Sequence, residues 1–218
     1  MPGKNHRLAT AKWPVALVAA LFFGMGILFW VTLEVGMDAS NSETFCISCH
    51  EMRDNVYPEY RRSAHFINPT GVRATCPDCH VPRDWVHKVI RKVHATNELY
   101  HWALGSIDTR QKFVARRSQL AGQVWQSMRD SNSRECRNCH AEEFMAVADQ
   151  TPMAAQMHLF APEWQLTCID CHQGVAHQLP DEFDQQAVID DLHQKIADSG
   201  LACHQCHDDV LPVDDQEW

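Results

Sequence analysis

The chain has 218 residues and a formal net charge of −9 at pH 7, with 28 acidic residues against 19 Lys and Arg. This acidic balance argues against a nucleic-acid partner, because binding to phosphates depends on clustered Lys and Arg side chains. Ten cysteines are spread over the chain. Their arrangement is more informative than the composition.

The N-terminal segment predicts a membrane anchor. Met1 to Lys12 carries the positive charges, and Val15–Val35 is almost wholly apolar. A helix of about 20 apolar residues crosses a hydrocarbon core of roughly 30 Å. The positive flank predicts a cytoplasmic N-terminus, with the rest of the chain outside. A cleaved signal peptide is the alternative, but its apolar region is usually shorter, and Met37-Asp38-Ala39 is a poor cleavage site.

All ten cysteines lie in five copies of one motif, Cys-x-x-Cys-His, which is the attachment signature of c-type haem. The two thiols form thioethers with the haem, and the histidine reaches the iron. We therefore expect five covalently attached haem c groups. The predicted haem-binding cysteines are Cys46, Cys49, Cys76, Cys79, Cys136, Cys139, Cys168, Cys171, Cys203 and Cys206. The motif histidines are His50, His80, His140, His172 and His207.

Other uses of the cysteines explain less of this pattern. A zinc site needs four ligands and does not require a histidine after every pair. Disulfides suit a secreted chain but do not require a two-residue spacer five times. A thioredoxin-like redox motif sits singly near a βαβ pattern, and no such pattern is visible. Haem c is attached outside the bacterial cytoplasm, so we expect a single-pass protein of the bacterial inner membrane with a periplasmic haem domain.

The predicted fold class is mainly α with much irregular chain, in which a single N-terminal transmembrane helix precedes a multihaem cytochrome c domain. About 180 residues follow the anchor, too few to build an ordinary apolar core around each of five cofactors. The haems themselves are therefore expected to form most of the core. The motifs start 30, 60, 32 and 35 residues apart in chain order, which predicts two dihaem units followed by a fifth haem.

Two amphipathic helices are predicted in the 60-residue interval, and we expect both to cover haems. Asp108-Thr109 is a plausible cap for the second. Their apolar faces consist of Val86, Val89, Ile90 and Val93, and of Phe113, Leu120, Val124 and Met128.

Charge is distributed unevenly along the chain. Segment 83–129 is basic, whereas residues 181–218 are acidic with Lys195 as the sole basic residue. The basic side chains can pair with lipid phosphates or haem propionates. The acidic tail can steer a basic redox partner. A solvated face explains either segment equally well.

Low-spin electron-transfer haems need a second axial ligand, usually His or Met. His6 is excluded because it lies on the predicted cytoplasmic side, and His204 sits between the cysteines of its own motif. A lone histidine is more often an ordinary polar residue, but several irons here need ligands. The best-placed candidates are His65, His158, His177 and His193. In the first motif, Met52 is close enough to compete with His50 for the iron.

The sequence resembles the NapC/NirT family of membrane-anchored multihaem quinol dehydrogenases. The likeness extends over about residues 12–180 and is carried by Cys46–Tyr57, Gly71–Pro82, Ser133–His140 and Thr167–Pro180. Residues 1–37 are then the N-terminus and anchor, residues 38–180 a tetrahaem domain, and residues 181–218 an extension with the fifth haem. Most family members of this length have four haems.

The resemblance implies roles for individual residues. Met52 would be the axial ligand of the first haem, with His50 not bound to iron. His80, His140 and His172 would be proximal ligands, and His65, His158 and His177 would be distal ligands of the other three haems. Asp108 matches an acidic residue near the open face of the first haem, where the family binds quinol. A lysine often lies one turn before this aspartate, but His101 or Trp102 stands there in this chain.

We therefore expect a membrane-anchored quinol dehydrogenase that oxidises menaquinol or ubiquinol and supplies a periplasmic reductase in anaerobic respiration. Nitrate reductase is the first expectation for the acceptor, with trimethylamine-oxide or nitrite reductase as alternatives. His193 and His207 are the expected ligands of the fifth iron. Asp108 is the expected proton acceptor. A terminal reductase and a passive electron-storage cytochrome remain open, and a homo-oligomer is compatible with these residues.

Overall fold

The computed structural model describes residues 12–207 in two compact units, one up to Cys46 and the other from Ile47 onward. The charges before residue 12, His6 and the last part of the acidic tail lie outside the described residues. Helices and irregular chain make up the described part, and no strand occurs between residues 12 and 207. The prediction of a mainly α fold is confirmed.

The first unit is dominated by helix α1, Lys12–Ala39, followed by the short helix α2, Glu43–Cys46. The stretch Pro14–Ala39 has a mean hydropathy of 2.3 and is long enough to cross a membrane. Large apolar side chains from Val15 to Val35 are exposed around α1. A helix that is apolar all round and uncovered by protein has the character of a membrane span.

The second unit consists of short helices joined by loops. It begins with a π-helical turn, Met52–Val56, and continues with α3, Tyr57–Tyr60, and α4, Cys76–His80. Two long helices follow, α5, Trp85–Ala103, and α6, Arg110–Asp130. The remaining elements are α7, Arg134–Arg137, 3₁₀ turns at Glu142–Phe144 and Val147–Asp149, α8, Pro152–Phe160, α9, Cys168–Cys171, α10, Gln185–Ser199, and a 3₁₀ turn at Cys203–Gln205.

The helices α5 and α6 confirm the two predicted amphipathic segments. Asp84 caps α5 by accepting a hydrogen bond from the His87 amide at 3.1 Å. Thr109, as predicted, caps α6 by accepting one from the Lys112 amide at 3.3 Å. The turn between them contains Gly105 at φ +63°, a left-handed conformation that favours glycine.

Two of the haem motifs, the second and the fourth, have the same local structure. In α4, Asp78 Oδ2 accepts from the Thr75 amide at 2.8 Å, and in α9, Asp170 Oδ2 accepts from the Thr167 amide at 2.8 Å. Each pair forms a capping box around one helical turn. The pattern Thr-Cys-x-Asp-Cys-His thus fixes both cysteines and the histidine on a rigid turn.

The motifs pack against one another in series. The second-motif helix α4 packs against α7, which belongs to the third motif. The fourth-motif helix α9 is joined to the third motif because the Ile169 amide donates to Ser133 Oγ at 3.2 Å. The 3₁₀ turn of the fifth motif packs against α8. Motif spacing predicted dihaem units, but it did not predict the contact between the second and third motifs.

The polypeptide of the second unit covers few side chains completely. Its buried apolar residues are Tyr60, Phe113 and Ile169, and its buried polar residues are Glu51, Asn55, Ser133 and Glu135. A chain of this size with so small an apolar core needs other cross-links to be stable.

Replacing Ser133 by Ala tests the link between the third and fourth motifs. Ser133 is fully buried and its hydroxyl accepts from the Ile169 amide. Without the hydroxyl that amide loses its partner, so the free energy of unfolding should fall by about 1–3 kcal/mol. Urea unfolding monitored by circular dichroism measures the change. The exposed Ser199→Ala control should stay within about 0.5 kcal/mol of the parent, and an equal loss in both variants would contradict the assignment.

Candidate haem centres

Each of the four predicted distal histidines lies opposite the histidine of a Cys-x-x-Cys-His motif. The distances between ring centres are 6.2 Å for His65 and His140, 6.2 Å for His80 and His177, 6.1 Å for His158 and His172, and 6.3 Å for His193 and His207. The interplanar angles of the last two pairs are 20° and 6°. The His80 and His65 pairs are tilted by 31° and 79°. The four separations agree with one another to within a few tenths of an ångström, which indicates that the four pairs have the same function.

That separation suits two imidazoles on opposite sides of one metal ion. Metal–nitrogen bonds of about 2 Å place the two ring centres roughly 6 Å apart. The rings are too far apart for direct stacking contact. Because each pair also lies beside two cysteines spaced for thioether formation, the donor set fits haem c with two axial histidines.

The outer nitrogens of two distal rings are already occupied. His158 Nδ1 lies 2.6 Å from Gln150 Oε1, and His193 Nδ1 lies 2.9 Å from the Ile189 carbonyl oxygen. A hydrogen bond at Nδ1 fixes the ring orientation and leaves Nε2 free for a metal. His193, the expected ligand of the fifth iron, thus has its Nδ1 hydrogen-bonded in the same way as the Nδ1 of His158.

Burial keeps several of these rings neutral, as metal ligation requires. It lowers the pKa of His80 to about 4, with smaller contributions from the charges of His177 and Arg91. Burial also lowers the pKa of His172 and of His177 from the ordinary value, although the Glu59 carboxylate opposes the shift at His177. These imidazoles present a free lone pair at neutral pH.

The spacing of the cysteines fits thioether formation. None of the ten takes part in a disulfide, all of them falling within residues 12–207. No cluster of three or more His, Cys, Asp or Glu side chains suited to a metal ion occurs in that range. The Cys136 and Cys168 thiols are close enough to hydrogen-bond, which brings the third and fourth motifs side by side.

A cavity of about 410 Å³ opens beside the third motif, next to Cys139 and His140.

The first motif is built differently. His50 Nε2 lies 3.2 Å from Oε1 of the buried Glu51 carboxylate. No ring contact of His50 with a second histidine occurs in the described part of the chain. Met52, half-buried, begins the π-helical turn, an element that is frequent at functional sites. This arrangement agrees with a first centre in which His50 is not a ligand.

Asp108 lies in the turn between α5 and α6, beside a lysine that sequence reasoning missed. Lys112 Nζ donates to Asp108 Oδ1 at 2.7 Å and to the Gly105 carbonyl at 2.9 Å. The hydrogen bond from Lys112 and its charge lower the pKa of Asp108, and the charge of His50 acts in the same direction. The lysine comes one turn after the aspartate instead of one turn before, and the i, i+4 spacing could have revealed it. His101 Nδ1 lies 3.1 Å from Ser106 Oγ in the same turn.

A half-buried ion pair between Glu59 and Arg117 supports the His80–His177 pair, and it too was missed in the sequence. Arg117 donates to both Glu59 oxygens, at 2.8 and 2.7 Å, and also to the Gln178 carbonyl. The Gln178 amide donates to Glu59 Oε2 at 3.0 Å. Burial disfavours ionisation of Glu59, but these hydrogen bonds and the Arg117 charge lower its pKa. His177 Nδ1 lies 4.0 Å from the same carboxylate, so the network holds the loop that carries the ring.

Removing one member of this ion pair should be costly. Glu59→Ala leaves the Arg117 guanidinium, 15% exposed, without its carboxylate partner, and the free energy of unfolding should fall by about 1–3 kcal/mol. Asp54→Ala, which breaks the exposed pair with Arg53, is the control and should cost at most about 1 kcal/mol. Denaturation of both purified variants measures the difference. Equal costs would show that the Glu59 pair does not hold the His177 loop.

The sequence model described as the NapC/NirT cytochrome c family, N-terminal region, matches residues 8–182. The denitrification system component NirT of Stutzerimonas stutzeri is 55% identical over 161 residues, which are 74% of this chain and 80% of that protein. The cytochrome c-type protein NapC of Escherichia coli K12 is 53% identical over 187 residues, covering 83% and 92%.

A longer relative extends further along the chain. The cytochrome c-type protein TorC of Escherichia coli K12 is 42% identical over 211 residues, which are 95% of this chain but 53% of that protein. The alignment therefore reaches into the C-terminal segment, whereas the family match ends at residue 182. No solved structure is significantly similar to the chain.

Proposed function

This chain belongs to the NapC/NirT cytochrome c family, and from that premise we propose that it is a pentahaem quinol dehydrogenase supplying electrons to a periplasmic nitrate reductase. That it is a membrane-anchored multihaem c-type cytochrome which transfers electrons to periplasmic reductases follows from its relatives and its apolar N-terminal helix. The number of haems, the quinol and the particular reductase form the proposal. The four histidine pairs carry it, since two axial ligands on each iron are typical of electron-transfer haems.

The ligands are assigned from these pairs. His80 with His177, His140 with His65, His172 with His158, and His207 with His193 hold the second to fifth haems. Met52 would be the ligand of the first haem, and the cysteines of each motif would supply the thioethers. The bound haems would supply one-electron redox chemistry. The second, third and fourth motifs are linked by the packing of α4 on α7 and by the Ile169–Ser133 hydrogen bond, and the turn of the fifth motif packs against α8, which carries His158.

The substrate is a quinol, either menaquinol or ubiquinol. The α5–α6 turn accepts the protons that the quinol releases. Oxidation of one quinol releases two electrons and two protons. Asp108 is held ionised by Lys112, and a carboxylate in that state can accept a proton from the quinol hydroxyl. The side chain is exposed, so the proton can pass on to water. We propose that residues 1–11 are cytoplasmic and that the haem domain is periplasmic, following the positive N-terminal flank.

Asp108→Asn tests the quinol site. The amide cannot take up the proton, so anaerobic reduction of the haems by a reduced quinol analogue should slow by roughly 10²–10⁴-fold. Stopped-flow absorbance of the detergent-purified protein measures the rate. Reduction by dithionite should be unchanged, and so should the quinol rate of Glu163→Gln, which alters an exposed carboxylate elsewhere. A normal quinol rate in Asp108→Asn would remove this residue from the reaction.

The haem count has its own test. Cys203→Ala combined with Cys206→Ala removes both thioethers of the fifth motif, and the intact mass should fall by one haem beyond the two substitutions. The remaining four haems should stay attached, because their ligands lie on other elements. An unchanged haem content would mean that the fifth motif holds none.

Electron delivery to isolated nitrate, trimethylamine-oxide and nitrite reductases identifies the acceptor. No transfer to the nitrate reductase would refute the choice of that enzyme.

A further inference from the structure

We infer that the outward face of α5 is a bilayer-contact surface, which lies in the interfacial region of the membrane beside the proposed quinol site. The surface is formed by Val86, Ile90, Val93, Tyr100 and Leu104, called here the α5 stripe. Its place in the reaction rests on the proposed function. The lipid contact itself does not.

The five side chains of the α5 stripe are apolar and are not covered by any of residues 12–207, and the polar Asn97 lies between Val93 and Tyr100 on the same side of the helix. The five side chains are 58%, 46%, 62%, 61% and 60% exposed in chain order. They follow one another at intervals of four, three, seven and four residues, which aligns them on one side of a helix. At 1.5 Å per residue the stripe is about 27 Å long. Exposed apolar surface of this extent marks an interaction site.

A solvated surface helix turns its apolar side toward the protein, whereas α5 turns its apolar side outward. The half-buried positions are Lys88, Val89, Arg91, Lys92 and Ala95, so the side of α5 that faces the domain carries its basic residues. The α5 stripe lies on the opposite side of the helix.

Lipid is the occupant that fits this face. The chain carries a membrane-spanning helix, so the second unit works at a bilayer surface. Tyr100, in the last turn of α5, is a residue type concentrated at the level of the lipid head groups. An interfacial helix buries an apolar face of this kind at the boundary between head groups and acyl chains.

The position of the α5 stripe also suits the substrate. Leu104 is followed directly by the turn that holds Asp108 and Lys112. A helix lying in the interface would present this turn at the depth from which a lipid-soluble quinol emerges. The quinol would then reach Asp108 without crossing water.

Photolabelling tests the contact directly. The full-length holoprotein is placed in nanodiscs of phosphatidylethanolamine and phosphatidylglycerol that contain a phospholipid with a diazirine on its acyl chain. After illumination, adducts should appear in α1 and in the tryptic peptide Val93–Arg110, and peptides of α10 should remain unlabelled. Adducts confined to α1 would overturn the inference.

A matched pair of substitutions separates lipid from the other occupants. Val93→Glu should lose most of the label in its peptide and slow reduction by membrane-embedded quinol several-fold, with haem content and optical spectrum unchanged. Val72→Glu, at a loop residue that is 68% exposed, should change neither. Loss of haem or a shifted spectrum in Val93→Glu would mean that a haem covers the stripe, and the inference would be wrong. If quinol does not reduce the parent protein, the proposed function fails while the labelling result still decides the lipid contact.

Discussion

The fold depends on pairs of imidazoles held about 6 Å apart. A motif of five residues can fix two thioethers and one axial histidine locally, but the second histidine must come from elsewhere in the chain. His177 crosses from beyond the fourth motif to the second, and His65 precedes the second motif but faces the third. Each such crossing closes a long loop, so pairs that each held a haem iron would act as cross-links in a chain with little apolar core of its own.

The hydrogen-bond networks of the second unit hold the crossing segments in place. The Glu59–Arg117 pair joins α3 and α6 to the Gln178 backbone, next to His177. Arg129, at the end of α6, donates to Asp170 at 2.7 Å and thereby ties α6 to the fourth motif. α6 thus connects the His177 segment to the fourth motif. The basic character of segment 83–129 is explained in part by these half-buried ion pairs, and only in part by a solvated face.

Several features could be predicted from the sequence because they are local. The Cys-x-x-Cys-His motifs, the apolar span of α1, the Thr109 cap and the periodicity of α5 and α6 depend on neighbouring residues alone. The candidates His65, His158 and His177 followed from position and from a family likeness, and His193 followed from position alone. The pairing of His193 with His207 was predicted, but which motif each of the other three faces could not be predicted, since pairing depends on loop paths. Lys112 and Glu59 were missed for a related reason, since neither belongs to a recognised motif. The family likeness directed attention to a lysine before Asp108, whereas the structure supplies one after it.

The proposed electron-transfer role depends on the assignment of two histidines to each of four irons. Near-infrared magnetic circular dichroism of the oxidised holoprotein reads axial ligation directly, because bis-histidine haems and haems with a sulfur ligand absorb at different energies. We expect four bis-histidine haems and one haem with a different ligand. His158→Met should convert one of the four and leave the other three unchanged. Fewer than four bis-histidine haems in the parent, or no change on His158→Met, would contradict the assignment.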